Sequence, residues 1–134
     1  MKSVFVVEDS PTVRMMVKAL LKKAGFHVAG EAETGEEAVD AIKQASIDLV
    51  LMDLELPGIS GMEATRALRE WEQARAGSDG TEYKLCIVAM TAHSGEDIHR
   101  ECMDAGMNAV TSKRIDAALL EQHIADCASM DRAA

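Results

Sequence analysis

Val4-Phe5-Val6-Val7-Glu8-Asp9-Ser10-Pro11 holds one unit of a pattern that recurs along the whole chain. Four apolar residues in a row, mostly β-branched and without alternation, suit a strand covered on both faces. The run stops on two acids. Ser10 then offers a side-chain oxygen to cap a helix, and Pro11 fits the first helical position, where an N–H would have no partner anyway. The order is strand, acidic corner, helix start.

Working outward, Val13, Met16, Val17, Leu20 and Leu21 recur at helical spacing and predict an inner helix face, closed by Gly25. A short run from His27 to Ala29 predicts a second strand. Thr34 with Glu37 forms a capping box for a helix to about Ala45. Ile47 to Met52, broken only by Asp48, predicts a third strand that delivers Asp53. Pro57 and Gly58 stop it, and Ser60 with Glu63 opens a helix to about Arg75. Gly77 to Lys84 reads as a polar loop. Leu85 to Met90 predicts a strand that hands over Thr91, Ser94 caps a helix to about Ala105, and Gly106 ends it. Ala109 to Ser112 predicts a last strand before Lys113. Asp116 then caps a closing helix with Leu119, Leu120, Ile124 and Cys127 inside.

Five strands alternating with five helices predict an α/β fold, a parallel sheet joined by right-handed crossovers with helices on both faces. Strands two and five are read as the shortest and most polar, hence edges, which gives the order 2-1-3-4-5. In that order the chain reverses direction between strands one and three, and a ligand crevice opens at their carboxyl ends. Glu8, Asp9 and Asp53 flank it.

Composition sets limits on the rest. The 134 residues suit one domain, 1–134, and 48% of them are apolar with only 3% aromatic, so Val, Ile, Leu, Ala and Met must build the core. Met15, Met16, Met62, Met90, Met103 and Met107 read as core gap-fillers, and Trp71 as a packing residue. Fourteen basic against twenty-three acidic residues give a net charge of −9, which argues against a nucleic-acid partner. Early acids argue against a signal peptide, and no run reaches membrane-spanning length, so a cytoplasmic protein is expected. A strand starting directly after Met1 favours a natural amino terminus. Cys86, Cys102 and Cys127 are expected to be buried thiols.

Three carboxylates forced together repel, and each tends to take up a proton unless a cation is supplied. Magnesium, with oxygen ligands and retained waters, suits an open site of few carboxylates. Each acid alone is equally well read as a solvated helix cap. Thr91 and Lys113 at the next two strand ends change the balance, because a hydroxyl and an ammonium facing a metal-held carboxylate form a cradle for phosphoryl oxygens.

The segments VFVVEDSPTVR, LVLMDLELPGISGMEATRALR, IVAMTAH and AGMNAVTSKRI, in this order and spacing, resemble the receiver domain of bacterial two-component response regulators. The resemblance implies a flavodoxin-like three-layer α/β/α domain that accepts a phosphoryl group on Asp53 from a phosphohistidine of a sensor histidine kinase or histidine phosphotransfer protein. It implies a Mg2+ site of Glu8, Asp9, Asp53 and the Glu55 carbonyl, with Lys113 and Thr91 contacting the phosphoryl oxygens. It further implies a phosphoacceptor rather than an enzyme, assisting its own phosphotransfer and dephosphorylation.

Two positions depart from the family pattern. Arg114 follows the lysine where proline is usual, so a trans bond is expected there. Val110 stands where Tyr or Phe is usual, so no ring can follow Thr91. Glu55 and His93 occupy places that tune phosphoryl lifetime in the family, and His93 reads either as a water-positioning or a solvated residue. His27, His99 and His123 read as surface or edge residues. Alternative readings are a degenerate receiver acting as a phosphorylation-independent binding module, a receiver fragment of a hybrid histidine kinase, and an aspartyl phosphatase using Glu55, for which no cap insertion exists.

Overall fold

A computed structural model describes residues 2–44, 47–79, 85–92, 95–113, 118–123 and 125–126. Its elements in chain order are β1 (Ser3–Val7), α1 (Pro11–Lys23), β2 (His27–Ala32), α2 (Gly35–Lys43), β3 (Leu49–Asp53), α3 (Gly61–Asp79), β4 (Cys86–Thr91), α4 (Glu96–Ala105) and β5 (Ala109–Ser112). Residues 118–123 are also helical. The sheet order is β2-β1-β3-β4-β5, every pairing is parallel, and the chain reverses direction between β1 and β3 as the sequence predicts.

Side chains alternate across the strands and divide the core in two. Phe5, Val7, Val50, Met52, Ile87 and Ala89 face α2, α3 and α4, where Ala38, Ile42, Leu68 and Cys102 are buried. Val4, Val6, Leu49, Leu51, Val88 and Met90 face α1 through Val17 and Leu21, and meet Leu120. All residues of β3 and β4 are buried, whereas β2 alternates and carries its exposed residues on a sheet edge.

The caps follow the sequence where they fall on described residues. Ser10, Thr34 and Ser60 accept from Val13, Glu37 and Glu63 N–H at 3.3, 3.1 and 3.2 Å. Ser94, Asp116, Ile124 and Cys127 lie outside the described residues, as do His93 and Arg114.

Several expectations are corrected. β2 continues to Ala32 and is not short, because an edge strand pairs through its backbone on one side whatever its outward side chains are. α3 continues through Gly77 and Ser78 to Asp79, a weak-propensity end that costs only about 1 kcal/mol per glycine. Met15 and Met16 are 70% and 67% exposed, since Val13, Val17, Leu20 and Leu21 already complete the buried arc of α1. Met103 and Leu119 are also exposed, while Met90 and Met107 are buried as expected. Cys102 is a free buried thiol as expected, whereas Cys86 does not carry the free thiol expected of it.

One polar cluster, not foreseen from the sequence, joins α3 to the amino ends of β4 and β5. The Arg69 guanidinium donates to Gly106 O at 2.8 Å, to Glu72 Oε1 at 2.7 Å and to Asn108 Oδ1 at 2.8 Å. Glu72 Oε2 accepts from Leu85 N–H, and Asn108 Oδ1 also accepts from Ile87 N–H at 2.8 Å. Gly106 reaches this geometry at φ 107°, a left-handed helix cap that favours glycine. Buried polar groups linked in this way cost most when one member is removed. Asn108→Ala strands the Ile87 N–H and one Arg69 donor and is expected to destabilise the protein by about 2–3 kcal/mol, read by urea denaturation.

Candidate functional site

β1 ends at Val7, and the next N–H, that of Glu8, donates to Ala32 O at 3.0 Å, so the ladder with β2 extends one residue into the acidic corner. The Glu8 side chain then turns inward and is fully buried. β3 ends on Asp53, 1% exposed, whose Oδ1 accepts from Glu55 N–H at 3.1 Å. The chain after Asp53 is held close. Leu54 N–H donates to Met90 O at 3.2 Å, and Gly61 N–H to Leu54 O at 3.2 Å. A Cβ on Gly61 would lie 2.3 Å from Asp53 O, so only glycine lets α3 begin against this strand end.

Lys113, just past β5, reaches across the end of β4 into the crevice. Its Nζ lies 3.1 Å from Glu8 Oε1 and 3.3 Å from Asp53 Oδ2, bridging two buried carboxylates. Ligand oxygens of Glu8, Asp9 and Asp53 all lie within 4.8 Å of one another. Asp9 stays exposed and completes the open side. Such a set of hard oxygen donors, partly open to water, fits a magnesium-sized divalent ion. Sequence reasoning named these four residues, and the fold brings them together.

Burial, then the hydrogen bond to Asp53 and its charge, push the Glu8 carboxyl up to about 7, although Lys113 acts against the shift. For Lys113 burial alone would lower the ammonium's value, but the hydrogen bond to Glu8 and the charges of Asp53 and Glu8 raise it above the ordinary lysine range.

The Glu55 side chain is exposed. Thr91 is buried at the end of β4 and lines a cavity of about 310 Å3 between α4 and β5, together with Ile98, His99, Val110 and Thr111. His27 and His99 are exposed as expected, whereas His123 is half-buried, its Nε2 lacking a partner among the described residues.

Two site-supporting residues escaped the sequence reading. Glu36, in the first turn of α2, accepts from Ile59 N–H at 3.0 Å and sits against Gly58, so α2 holds the loop that follows Asp53. Hydrogen bonds from its own backbone and from Ile59 hold its carboxyl below the ordinary range. Arg14 donates to Glu8 O at 2.7 Å. Neither contact leaves a mark in helical spacing, because each partner lies in a loop outside the residue's own helix.

Residues 4–125 match the response regulator receiver domain family. The chain belongs to that family. Receiver domains are phosphoacceptor signalling domains, and this receiver is 39% identical over 119 residues to sensor protein GacS of Pseudomonas syringae pv. syringae. That match covers 89% of this chain and 12% of GacS, so the chain spans a small part of that relative's length. Among solved structures it is similar to the receiver domain of sensor histidine kinase PA1611 from Pseudomonas aeruginosa PAO1, which has magnesium coordinated in its active site cleft. The identity is 29% and the TM-score 0.75, covering 92% of this chain and 93% of that one. It is also similar to a chain in the co-crystal of the Saccharomyces cerevisiae histidine phosphotransfer protein Ypd1 and the receiver domain of Ssk1, at 30% identity and TM-score 0.80, covering 92% and 86%.

The receiver's pocket makes stability depend on pH. Glu8 titrates near 4.5 when unfolded and at about 7 when folded, so between these values the folded state keeps a proton that the unfolded state has lost. The contribution is fully present below the unfolded value and is lost as pH rises through 7. One unit corresponds to about 1.4 kcal/mol, so the Glu8-dependent loss for metal-free protein approaches roughly 3 kcal/mol between about pH 5 and about pH 8. Urea unfolding in chelator at both pH values measures it. Glu8→Gln is expected to remove the decline.

Proposed function

We propose that this receiver takes a phosphoryl group from a phosphohistidine onto Asp53. The observation that carries the reading is the Lys113 ammonium set between the buried carboxylates of Glu8 and Asp53, at 3.1 and 3.3 Å. Buried like charges are costly, and their gathering around one cation at the mouth of a parallel sheet makes chemical sense when a further cation and a phosphoryl group are to share the pocket.

Magnesium would be held by Glu8, Asp9, Asp53 and the carbonyl of Glu55. Bound there, it would neutralise the gathered carboxylates and the charge on the phosphoryl oxygens. Asp53 is the nucleophile. One of its oxygens forms the new phosphorus–oxygen bond as the phosphorus–nitrogen bond breaks and its electron pair returns to the imidazole. Lys113 is placed to exchange a carboxylate contact for a phosphoryl oxygen. The Thr91 hydroxyl binds another phosphoryl oxygen, and hydrolysis of the acyl phosphate resets the domain. The chain therefore assists its own phosphorylation and dephosphorylation without turning over a separate substrate.

Residues 1–134 act as one receiver domain in this reading. The phosphoryl donor is a sensor histidine kinase or a histidine phosphotransfer protein, a reading supported by the co-crystal of Ypd1 with the Ssk1 receiver domain. The receiver passes its state to a downstream protein partner. We assign the reaction to the cytoplasm on the family match, since receiver domains usually act there; separately, among the described residues no helix is long and apolar enough to cross a membrane.

Incubation with magnesium and a small acyl phosphate, followed by intact mass measurement, is expected to give a single phosphoryl adduct. The adduct should vanish in Asp53→Asn and on chelation of the metal. An unmodified wild-type mass would instead support a binding module that never takes phosphate.

A further inference from the structure

Arg14 has no part in the reaction above, yet it grips the acidic corner from behind. It lies in the first turn of α1, where its own N–H donates to Ser10 O at 2.9 Å. Its side chain folds back over the corner and donates from one terminal nitrogen to Glu8 O at 2.7 Å. With Glu8 N–H already given to Ala32 O, both backbone polar groups of Glu8 are engaged, by β2 and by α1.

The guanidinium is itself fixed. Its Nε lies 3.3 Å from Glu31 Oε1, and its second terminal nitrogen 3.1 Å from Glu33 Oε1. Lys18 also pairs with Glu31 through its other oxygen. All three guanidinium nitrogens have a partner, and the Arg14 side chain is only 12% exposed. A planar fork tied at three points has little freedom to tilt, which an ammonium on a flexible stem could not reproduce.

Charge points the same way. Two cations, Arg14 and Lys18, face two carboxylates, Glu31 and Glu33, so the cluster is balanced within itself. It leaves the negative charge of Glu8, Asp9 and Asp53 for another cation, in contrast to Lys113, which enters the pocket directly. Arg14 contacts the backbone of the corner and acts on where the carboxylates stand.

We infer that Arg14 is a positioning residue for the divalent cation: by locking the Glu8 peptide against β2 and α1, it presets the Glu8 and Asp9 carboxylates for a small octahedral ion. The inference rests on the metal-assisted reading under Proposed function. Magnesium tolerates little deviation from octahedral geometry, whereas calcium accepts variable, longer-range coordination. A loosened corner therefore costs magnesium more than calcium. A change in charge alone would shift both ions alike, and loss of the Arg14 cation by itself would favour binding of either.

The experiment is calorimetric titration of the full chain with magnesium alone and with calcium alone. It compares wild type with Arg14→Ala, Arg14→Lys and Glu33→Gln, with thermal unfolding run alongside. Arg14→Ala is expected to raise the magnesium Kd about tenfold, as for other residues that support metal ligands, and the calcium Kd by less than about threefold. Arg14→Lys keeps the charge and should not restore magnesium affinity, and Glu33→Gln should move it part of the way in the same direction. Should Arg14→Ala fail to fold, the other two variants decide the matter. Equal losses for both ions, or full rescue by lysine, would overturn the inference, as would unchanged affinities in folded variants. A wild-type protein that binds neither ion and takes no phosphoryl group would instead refute the functional reading on which the inference stands.

Discussion

The ammonium of Lys113 between Glu8 and Asp53 is the interaction on which the rest of the pocket depends. Two carboxylates almost wholly removed from water repel each other and lose hydration, and burial accordingly drives the Glu8 carboxyl toward neutrality. A lysine delivered from the far edge of the sheet offsets part of that cost. The offset is partial by design of the geometry: one ammonium serves two acids, with Asp9 standing open beside them. The remaining negative charge is what gives a second cation a reason to bind.

The fold supplies the convergence without dedicated machinery. Parallel strands bring every carboxyl end to the same edge, so Glu8, Asp53 and Lys113 meet although the outermost lie 105 positions apart in sequence. Precision comes from the connections. Gly61 lets α3 start against Asp53, Arg14 on α1 folds back to hold the Glu8 peptide, and Glu36 on α2 fastens the Gly58–Ile59 turn, so both acidic loops of the pocket are tied down by neighbouring helices. Val110 leaves β5 without a ring beside the cavity at Thr91, so any signal leaving the pocket by that side must use other contacts.

Much of this is legible in the sequence alone. Continuous β-branched runs gave the buried strands, Ser10, Thr34 and Ser60 marked helix starts, and strand-end acids marked the crevice, because each of these signals is local. The misreadings were of two physical kinds. Met16 and Leu119 sit at the border of an apolar arc, where periodicity alone does not tell buried from exposed. β2 and α3 ran on past their predicted ends because backbone pairing and neighbouring helix formers outweigh a few polar or weak residues. Arg14, Glu36, Arg69, Glu72 and Asn108 were illegible for a different reason. The Arg69–Glu72 pair has ordinary i,i+3 helical spacing, but the contacts that tie Glu36, Arg69, Glu72 and Asn108 to other elements span 13 to 39 positions, and Arg14 reaches Glu8 around a corner that no periodic spacing describes.

The Arg69–Glu72–Asn108 cluster lies at the opposite ends of β4 and β5 from Thr91 and Lys113. The amino ends of the two strands are thus pinned to α3, and their carboxyl ends, paired to each other at Thr91 and Ser112, lead to the positions that face the crevice. Residues that never approach a ligand therefore set the footing of the strands from which Thr91 and Lys113 project, so a loss at the far end of the sheet is felt as a loss of precision at the mouth.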